Sequence, residues 1–250
     1  MTTITTASKD EVARFTAIAE NWWDTNGEFA PLHKLNPPRL EFIRDHLCQH
    51  FGGDPKTEKP LKGLNLVDIG CGGGLLCEPM ARLGANVTGI DAGEENINVA
   101  KTHAEIIGLD INYRHVLPED LNSEQTKTSS QYDVVLSMEV IEHVSDLNLF
   151  LESAAGLLKP GGAMALSTLN RTLKSLALAK VAAEYILRWV PAGTHDWQKF
   201  VRPSELADGL RPHGVEITDL QGIGYQLGAD QWSLARDLDV NYLAFAVKSG

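Results

Sequence analysis

Residues Leu66 to Gly74, LVDIGCGGG, join an apolar strand to a run of glycines behind a carboxylate, and the reading of this junction decides the fold. Leu66, Val67 and Ile69 are apolar enough for a strand covered on both faces, and the glycines stand where such a strand ends. Gly70, Gly72 and Gly74 can take backbone angles that other residues resist, and without side chains they let a ligand approach the main chain. Leu75 to Leu83 then reads as the helix beyond the turn, the way an α/β sheet presents backbone to a nucleotide-like ligand.

Glycine-rich turns are common, so the spacing matters. A dinucleotide fingerprint G-x-G-x-x-G begun at Gly70 requires glycine at position 75, which is Leu75, and this disfavours a nicotinamide oxidoreductase. The chain instead carries Asp68-x-Gly70-x-Gly72-x-Gly74, then NVTGID (Asn86 to Asp91), a second strand that ends in a carboxylate. Asp91 stands 17 residues after Gly74, where an acid at the tip of the neighbouring strand accepts hydrogen bonds from two ribose hydroxyls. The structural alternatives are a helix N-cap role for Asp91 and a strand-end turn role for Asp68.

With these residues the chain resembles the class I S-adenosylmethionine-dependent methyltransferases. Tyr132 to Met138 (YDVVLSM) looks like the family's fourth strand, Leu157 to Gly162 (LLKPGG) like its turn into the fifth, and Gly162 to Thr168 like that strand. The segments NWWDTNGEF (Asn21 to Phe29), PLHKLNPPRL (Pro31 to Leu40), MEVIEHV (Met138 to Val144), STLNR (Ser167 to Arg171) and AEYILRWVPAGTHD (Ala183 to Asp196) are similar to the ubiquinone biosynthesis O-methyltransferase family. The resemblance implies an α/β fold: a Rossmann-like, mostly parallel sheet of seven strands with helices on both faces. It also implies an N-terminal helical cap, a helical insertion between the fifth and sixth strands, and an antiparallel last strand. The implied reaction moves methyl from S-adenosyl-L-methionine to a catechol-type hydroxyl of a polyprenylated ubiquinone precursor, demethylubiquinol included. A small-molecule O- or N-methyltransferase of another pathway is the alternative, and a noncatalytic scaffold in a quinone-biosynthesis protein complex is a third reading.

One methyltransferase domain accounts for residues 1–250. Residues 8–50 read as the helical cap, broken around Pro31 and at Pro37-Pro38, and 51–63 as a linker. Residues 64–168 form the cofactor-binding core, with strands near 64–69, 86–91, 111–116, 132–138 and 162–168 and helices near 75–83, 94–107 and 146–157. That alternation predicts a mostly parallel sheet. Residues 169–212 are the insertion, and 213–250 hold two further strands near 215–221 and 240–248.

Methyl transfer to a phenol requires in-line alignment of the oxygen and removal of its proton by a base, a metal ion or both. Glu139, Glu142 and His143 follow the fourth strand, where open α/β sheets place their ligand crevice. A helix begun near Met138 puts all three on one face. Two carboxylates and an imidazole suit a divalent metal, Mg²⁺ by oxygen ligation and Zn²⁺ or Mn²⁺ through the imidazole. The resemblance supports a metal, and without one His143 is the general base. Met138, at the strand end, packs on adenine or simply in the core. By resemblance Arg39 reaches the cofactor, where a guanidinium pairs with the methionine carboxylate. Asn36-Pro37-Pro38-Arg39 is not the N-P-P-aromatic motif of amino-group methyltransferases, because Arg39 has no ring and the segment precedes the glycine loop. Trp22, Trp23, Phe29 and His33 read as cap packing, with one tryptophan at most turned to a ligand. His195 and Asp196 follow a Pro-Ala-Gly turn and suit a substrate contact or a hinge equally.

Leu173 to Val190 is too charged to span a bilayer and too apolar for a loop, which fits an interfacial amphipathic helix or a lid. A polyprenylated substrate makes peripheral membrane contact the favoured use. The net charge of −11 disfavours a nucleic-acid partner, and three cysteines form no paired framework. The N-terminal residues show no signal-peptide core, so the expected location is cytoplasmic and peripheral at the inner membrane.

Overall fold

The computed structural model describes residues 5–128, 131–177, 196–226 and 228–250. Helix α1 (Lys9–Thr16) and helix α2 (Ala30–Phe51) form the cap. The core alternates β1 (Asn65–Ile69), α3 (Cys77–Arg82), β2 (Asn86–Asp91), α4 (Glu94–Ile107), β3 (Asn112–His115), α5 (Pro118–Thr128), β4 (Tyr132–Met138), α6 (Leu147–Leu157) and β5 (Leu158–Leu169). A single helical turn α7 (Leu173–Ser175), helix α8 (Pro203–Leu210) and strands β6 (Val215–Gln226), β7 (Gln231–Ala235) and β8 (Asn241–Lys248) follow.

The strands form one sheet in the order β3-β2-β1-β4-β5-β8-β6-β7. Strands β1 to β5 pair in parallel, and β8 lies antiparallel between β5 and β6. Alternation along each strand sends side chains to opposite faces, and the core divides accordingly. Leu66, Val134, Leu136, Ala163, Ala165 and Leu243 meet α2, α3 and α4 on one side. Val67, Ile69, Val135, Met164, Leu166 and Tyr242 meet α6 and α8 on the other. The strand order reverses at β1 and β4, so the crevice opens where both run out, at Ile69 and Met138.

Four details depart from the sequence reading. Helix α2 runs through Pro37 and Pro38 without breaking. Each proline removes a backbone donor at a cost of about 3 kcal/mol, which the burial of Leu35, Pro38, Phe42, Ile43 and Leu47 offsets. Pro31 starts the same helix, where its missing N–H is harmless. Strand β5 begins at Leu158, because that residue pairs with Tyr132 and the Pro-Gly-Gly residues are absorbed on β5 before Ala163 pairs with Val134. Strand β7 adds an eighth strand as a hairpin partner of β6. Within the expected insertion, α8 buries Leu206 and Leu210 completely against α6 and belongs to the core. Residues 178–195, which contain most of the expected membrane-contact segment and His195, lie outside the described residues.

Candidate active site

A cavity of about 430 Å³ opens over the ends of β1, β2 and β4, within the size range of small-molecule sites. Its walls include Arg39, Asp68, Gly70, Gly72, Asp91, Met138, Glu139, Glu142 and His143. Nearly every residue expected of the site is therefore gathered in one place. Gly74 is not on the wall: with φ +90, a Cβ there would lie 2.3 Å from the Tyr113 Oη, so this glycine makes room for core packing.

The glycine loop owes its shape to backbone freedom and to the cap. Gly70 and Gly72 have φ of +73 and +53, and a Cβ on Gly72 would lie 2.4 Å from the Trp22 ring. Trp22 is buried on the loop, stacks on Phe29 at 3.8 Å and donates from Nε1 to Asn96 at 2.9 Å. Trp23 points elsewhere, stacking on His103 and donating to the Gly73 carbonyl. One tryptophan thus faces the cavity and its neighbour fastens the cap.

Asp91 accepts from the Gly72 N–H at 3.0 Å, the Gly93 N–H at 2.7 Å and the Asn96 amide at 3.0 Å. Burial raises its carboxyl pKa against these bonds. Two carboxylate oxygens offer about four acceptor positions, so capacity remains for a ligand hydroxyl. Asp68 is buried, accepts from the Cys77 thiol at 3.3 Å and is pushed up to about 7, chiefly by burial. A carboxyl raised in the folded state costs nothing below its unfolded pKa and destabilises as pH climbs through the folded one. Asp68→Asn should accordingly gain melting temperature relative to the parent as pH goes from about 4 to about 7. The difference approaches 4 kcal/mol at 1.36 kcal/mol per unit. Parallel melting profiles of the two cofactor-free proteins across that window would refute this.

Arg39, on α2, is buried, and its Nη2 lies 2.9 Å from Glu139 Oε1. Its Nε has no hydrogen-bond partner, so a buried cationic donor on the cavity wall awaits an anionic group. That vacancy of partnership fits the carboxylate of S-adenosylmethionine.

Beyond β4 the chain does not enter a helix. Residues 139–146 form a turn, and α6 starts only after Asp146, whose carboxylate caps Leu149. The helical facing expected for Glu139, Glu142 and His143 therefore does not hold. Glu139 instead takes a left-handed φ of 55, uncommon for a side chain and costing about 1–3 kcal/mol. Its N–H is held by the Ser167 carbonyl. Ser167 donates to Glu139 at 2.8 Å and Thr168 to Glu142 at 2.7 Å, both from buried hydroxyls on β5. Glu142 lies close enough to feel the charge of Glu139. Burial favours the neutral form of Glu139, but Arg39 and the hydrogen bonds outweigh it and keep that carboxyl ionised. Burial and the charge of Glu139 push Glu142 up to about 7. His143 turns Nδ1 to Glu11 of α1 at 3.1 Å, with the Phe15 ring edge-on at 5.5 Å. Burial raises the Glu11 carboxyl, but the bond to His143 and nearby charges outweigh it and set it below its ordinary value.

Among the described residues no three His, Cys, Asp or Glu side chains stand together as a metal-ligand set. The donor chemistry nevertheless suits a divalent ion: the carboxyl groups of Glu139 and Glu142 and the imidazole of His143 line the same cavity, and only Glu139 is paired with a guanidinium. Sequence reasoning missed Ser167, Thr168 and Glu11 as partners of this group. The first two carried a signal, since they end a strand adjacent to β4. Glu11 carried none, because only the folded cap brings it to His143.

A parallel sheet whose strand order reverses at β1 and β4, a glycine loop behind Asp68, a carboxylate at the tip of β2 and an arginine whose Nε has no hydrogen-bond partner on the wall define an S-adenosylmethionine-dependent methyltransferase. The family described as methyltransferase domain matches residues 39–220. The ubiquinone biosynthesis O-methyltransferase of Sinorhizobium fredii is 52% identical over 97% of this chain and 96% of its own length. That of Paramagnetospirillum magneticum is 53% identical, with 97% and 96% covered. The chain belongs to the ubiquinone biosynthesis O-methyltransferase family and is an S-adenosylmethionine-dependent O-methyltransferase. Among solved structures, the magnesium protoporphyrin IX methyltransferase of Synechocystis with bound SAH superposes with a TM-score of 0.63 at 17% identity, covering 96% of this chain and 100% of that one. This likeness shows the fold.

Proposed function

We propose that this chain methylates a catechol-type hydroxyl on a polyprenylated quinol, demethylubiquinol among its acceptors. The observation that carries the reading is the group at the end of β4, where His143 and the Glu139–Glu142 pair line the same cavity as Asp91 and Arg39. Cofactor and acceptor residues thereby share one cavity.

Bound S-adenosylmethionine supplies a methyl already activated by its sulfonium, which the acceptor oxygen takes as the C–S electron pair returns to sulfur. The protein's task is to hold and deprotonate the acceptor. Asp91 holds the ribose hydroxyls, Arg39 the methionine carboxylate, and the Gly70 to Gly72 backbone lets the cofactor lie against β1. Met138 ends β4 beside the cavity and supports the adenine. Because Nδ1 of His143 donates to Glu11, its Nε2 is the nitrogen that receives the hydroxyl proton. The ionised Glu139 and the partly protonated Glu142 sit beside it and accept hydrogen bonds from a diol. In the alternative to His143 as base, a divalent ion held by Glu139, Glu142 and His143 would stabilise the phenolate charge.

Peripheral membrane contact through residues 173–190, and membership of a quinone-biosynthesis assembly, belong to the same proposal. Their support is the polyprenyl tail of such an acceptor and the amphipathic sequence of that segment. Among the described residues no helix is long and apolar enough to cross a membrane. Offering the enzyme a prenylated catechol, the same catechol without its tail, and an aromatic amine tests the assignment. Methylation of both catechols, with the prenylated one taken at much lower KM, is expected. Preference for the amine would reassign the acceptor.

A further inference from the structure

We infer that Glu11 is a positioning residue for His143, so that the N-terminal cap completes the base. The two residues are far apart in sequence and meet only because α1 lies across the cavity, which Glu11, Val12 and Phe15 also line. Glu11 Oε2 stands 3.1 Å from His143 Nδ1, and Arg14 donates to the same oxygen at 2.6 Å. Phe15 sets its ring edge-on to the imidazole, which restrains the plane. The segment before α1 is itself tied down: Thr5 and Thr6 bond Glu119 on α5, and Thr6 accepts the Ser145 N–H at 3.0 Å.

A carboxylate on Nδ1 does two things for a general base. It fixes the tautomer, since Nδ1 must carry the proton to make this bond, and Nε2 is then the accepting nitrogen. It also offsets the imidazolium charge that forms when the acceptor hydroxyl gives up its proton as the methyl moves to oxygen. Without the Glu11 carboxylate, His143 loses both aids. Glu11 touches neither cofactor nor acceptor in this role and acts through His143.

The inference rests on His143 being the base, and a double-mutant cycle separates the two claims. Glu11→Ala, His143→Ala and the double variant are compared for kcat and KM toward a short-chain demethylubiquinol, with SAH affinity by calorimetry and melting temperature as controls. Expected are a roughly 10- to 100-fold fall in kcat for Glu11→Ala, SAH affinity within about threefold of the parent, and no further loss when Glu11→Ala is added to His143→Ala. An equal loss in both backgrounds would make Glu11 a structural cap residue and overturn the inference while leaving His143 as base. A normal kcat in Glu11→Ala beside a slow His143→Ala does the same. A normal kcat in His143→Ala would overturn both claims.

Discussion

Asp91→Ala should weaken S-adenosylmethionine binding by at least about 100-fold in a protein that remains folded. A hydrogen bond from a ribose hydroxyl to an ionised acceptor is worth about 1.5–3 kcal/mol, and about 3 kcal/mol is already a factor above 100. The same carboxylate holds the Gly72 and Gly93 N–H groups, so its removal also loosens the glycine loop that the cofactor would lie against. The two losses act together on affinity. Stability suffers less, because the sheet beneath is packed through Ile69, Ile90 and Val135 and does not depend on the loop. Asp91→Asn should fall between, since its amide oxygen can still accept one hydrogen bond. Calorimetric titration of both variants with SAH settles the matter, and affinity within threefold of the parent in Asp91→Ala would remove Asp91 from the ribose.

Arg39→Ala is the second large effect, and it divides between stability and binding. The guanidinium is buried against Glu139, and removing it strands an ionised carboxylate in the interior. Breaking such a pair from one side costs about 3–5 kcal/mol, which for a domain of this size lowers the melting temperature by about 6–20 °C. Adding Glu139→Gln takes away the stranded charge, so Arg39→Ala/Glu139→Gln should regain most of that stability. Cofactor affinity should not return with it, because the Nε donor that faces the cavity is still missing. A single variant that melts within 2 °C of the parent, or a double variant that melts no higher than the single, would show that the pair carries no such energy.

What the sequence made legible was whatever rests on local pattern. Strand β1, the glycine loop and β2 could be read because apolar runs end in residues with distinct backbone and hydrogen-bonding chemistry. The gathering of Asp68, Asp91, Met138, Glu139, Glu142 and His143 around one cavity followed from where those strands end, whereas Arg39, on α2, was legible only through the family resemblance. Pro37 and Pro38 misled because helix propensity is a local quantity and the packing of α2 is not. Helix α5 escaped notice because PEDLNSEQTKT has almost no apolar periodicity, with Leu121 its one fully buried hydrophobic side chain among the described residues. The turn at Glu139 escaped for a different reason: a left-handed residue there is imposed by Ser167 and Arg39, which reach it from β5 and α2. The Glu11–His143 contact lies furthest from sequence, since nothing near either residue announces the other.

The most direct test of the account is transfer of labelled methyl from S-adenosylmethionine to a short-chain demethylubiquinol, first with chelator and then with Mg²⁺, Mn²⁺ or Zn²⁺ restored. The account predicts a labelled O-methyl quinol. Dependence on added metal would assign Glu139, Glu142 and His143 to the ion, and transfer under chelation would leave His143 as the base. Absence of labelled quinol under every condition, in enzyme that still binds S-adenosylmethionine, would contradict the proposed acceptor.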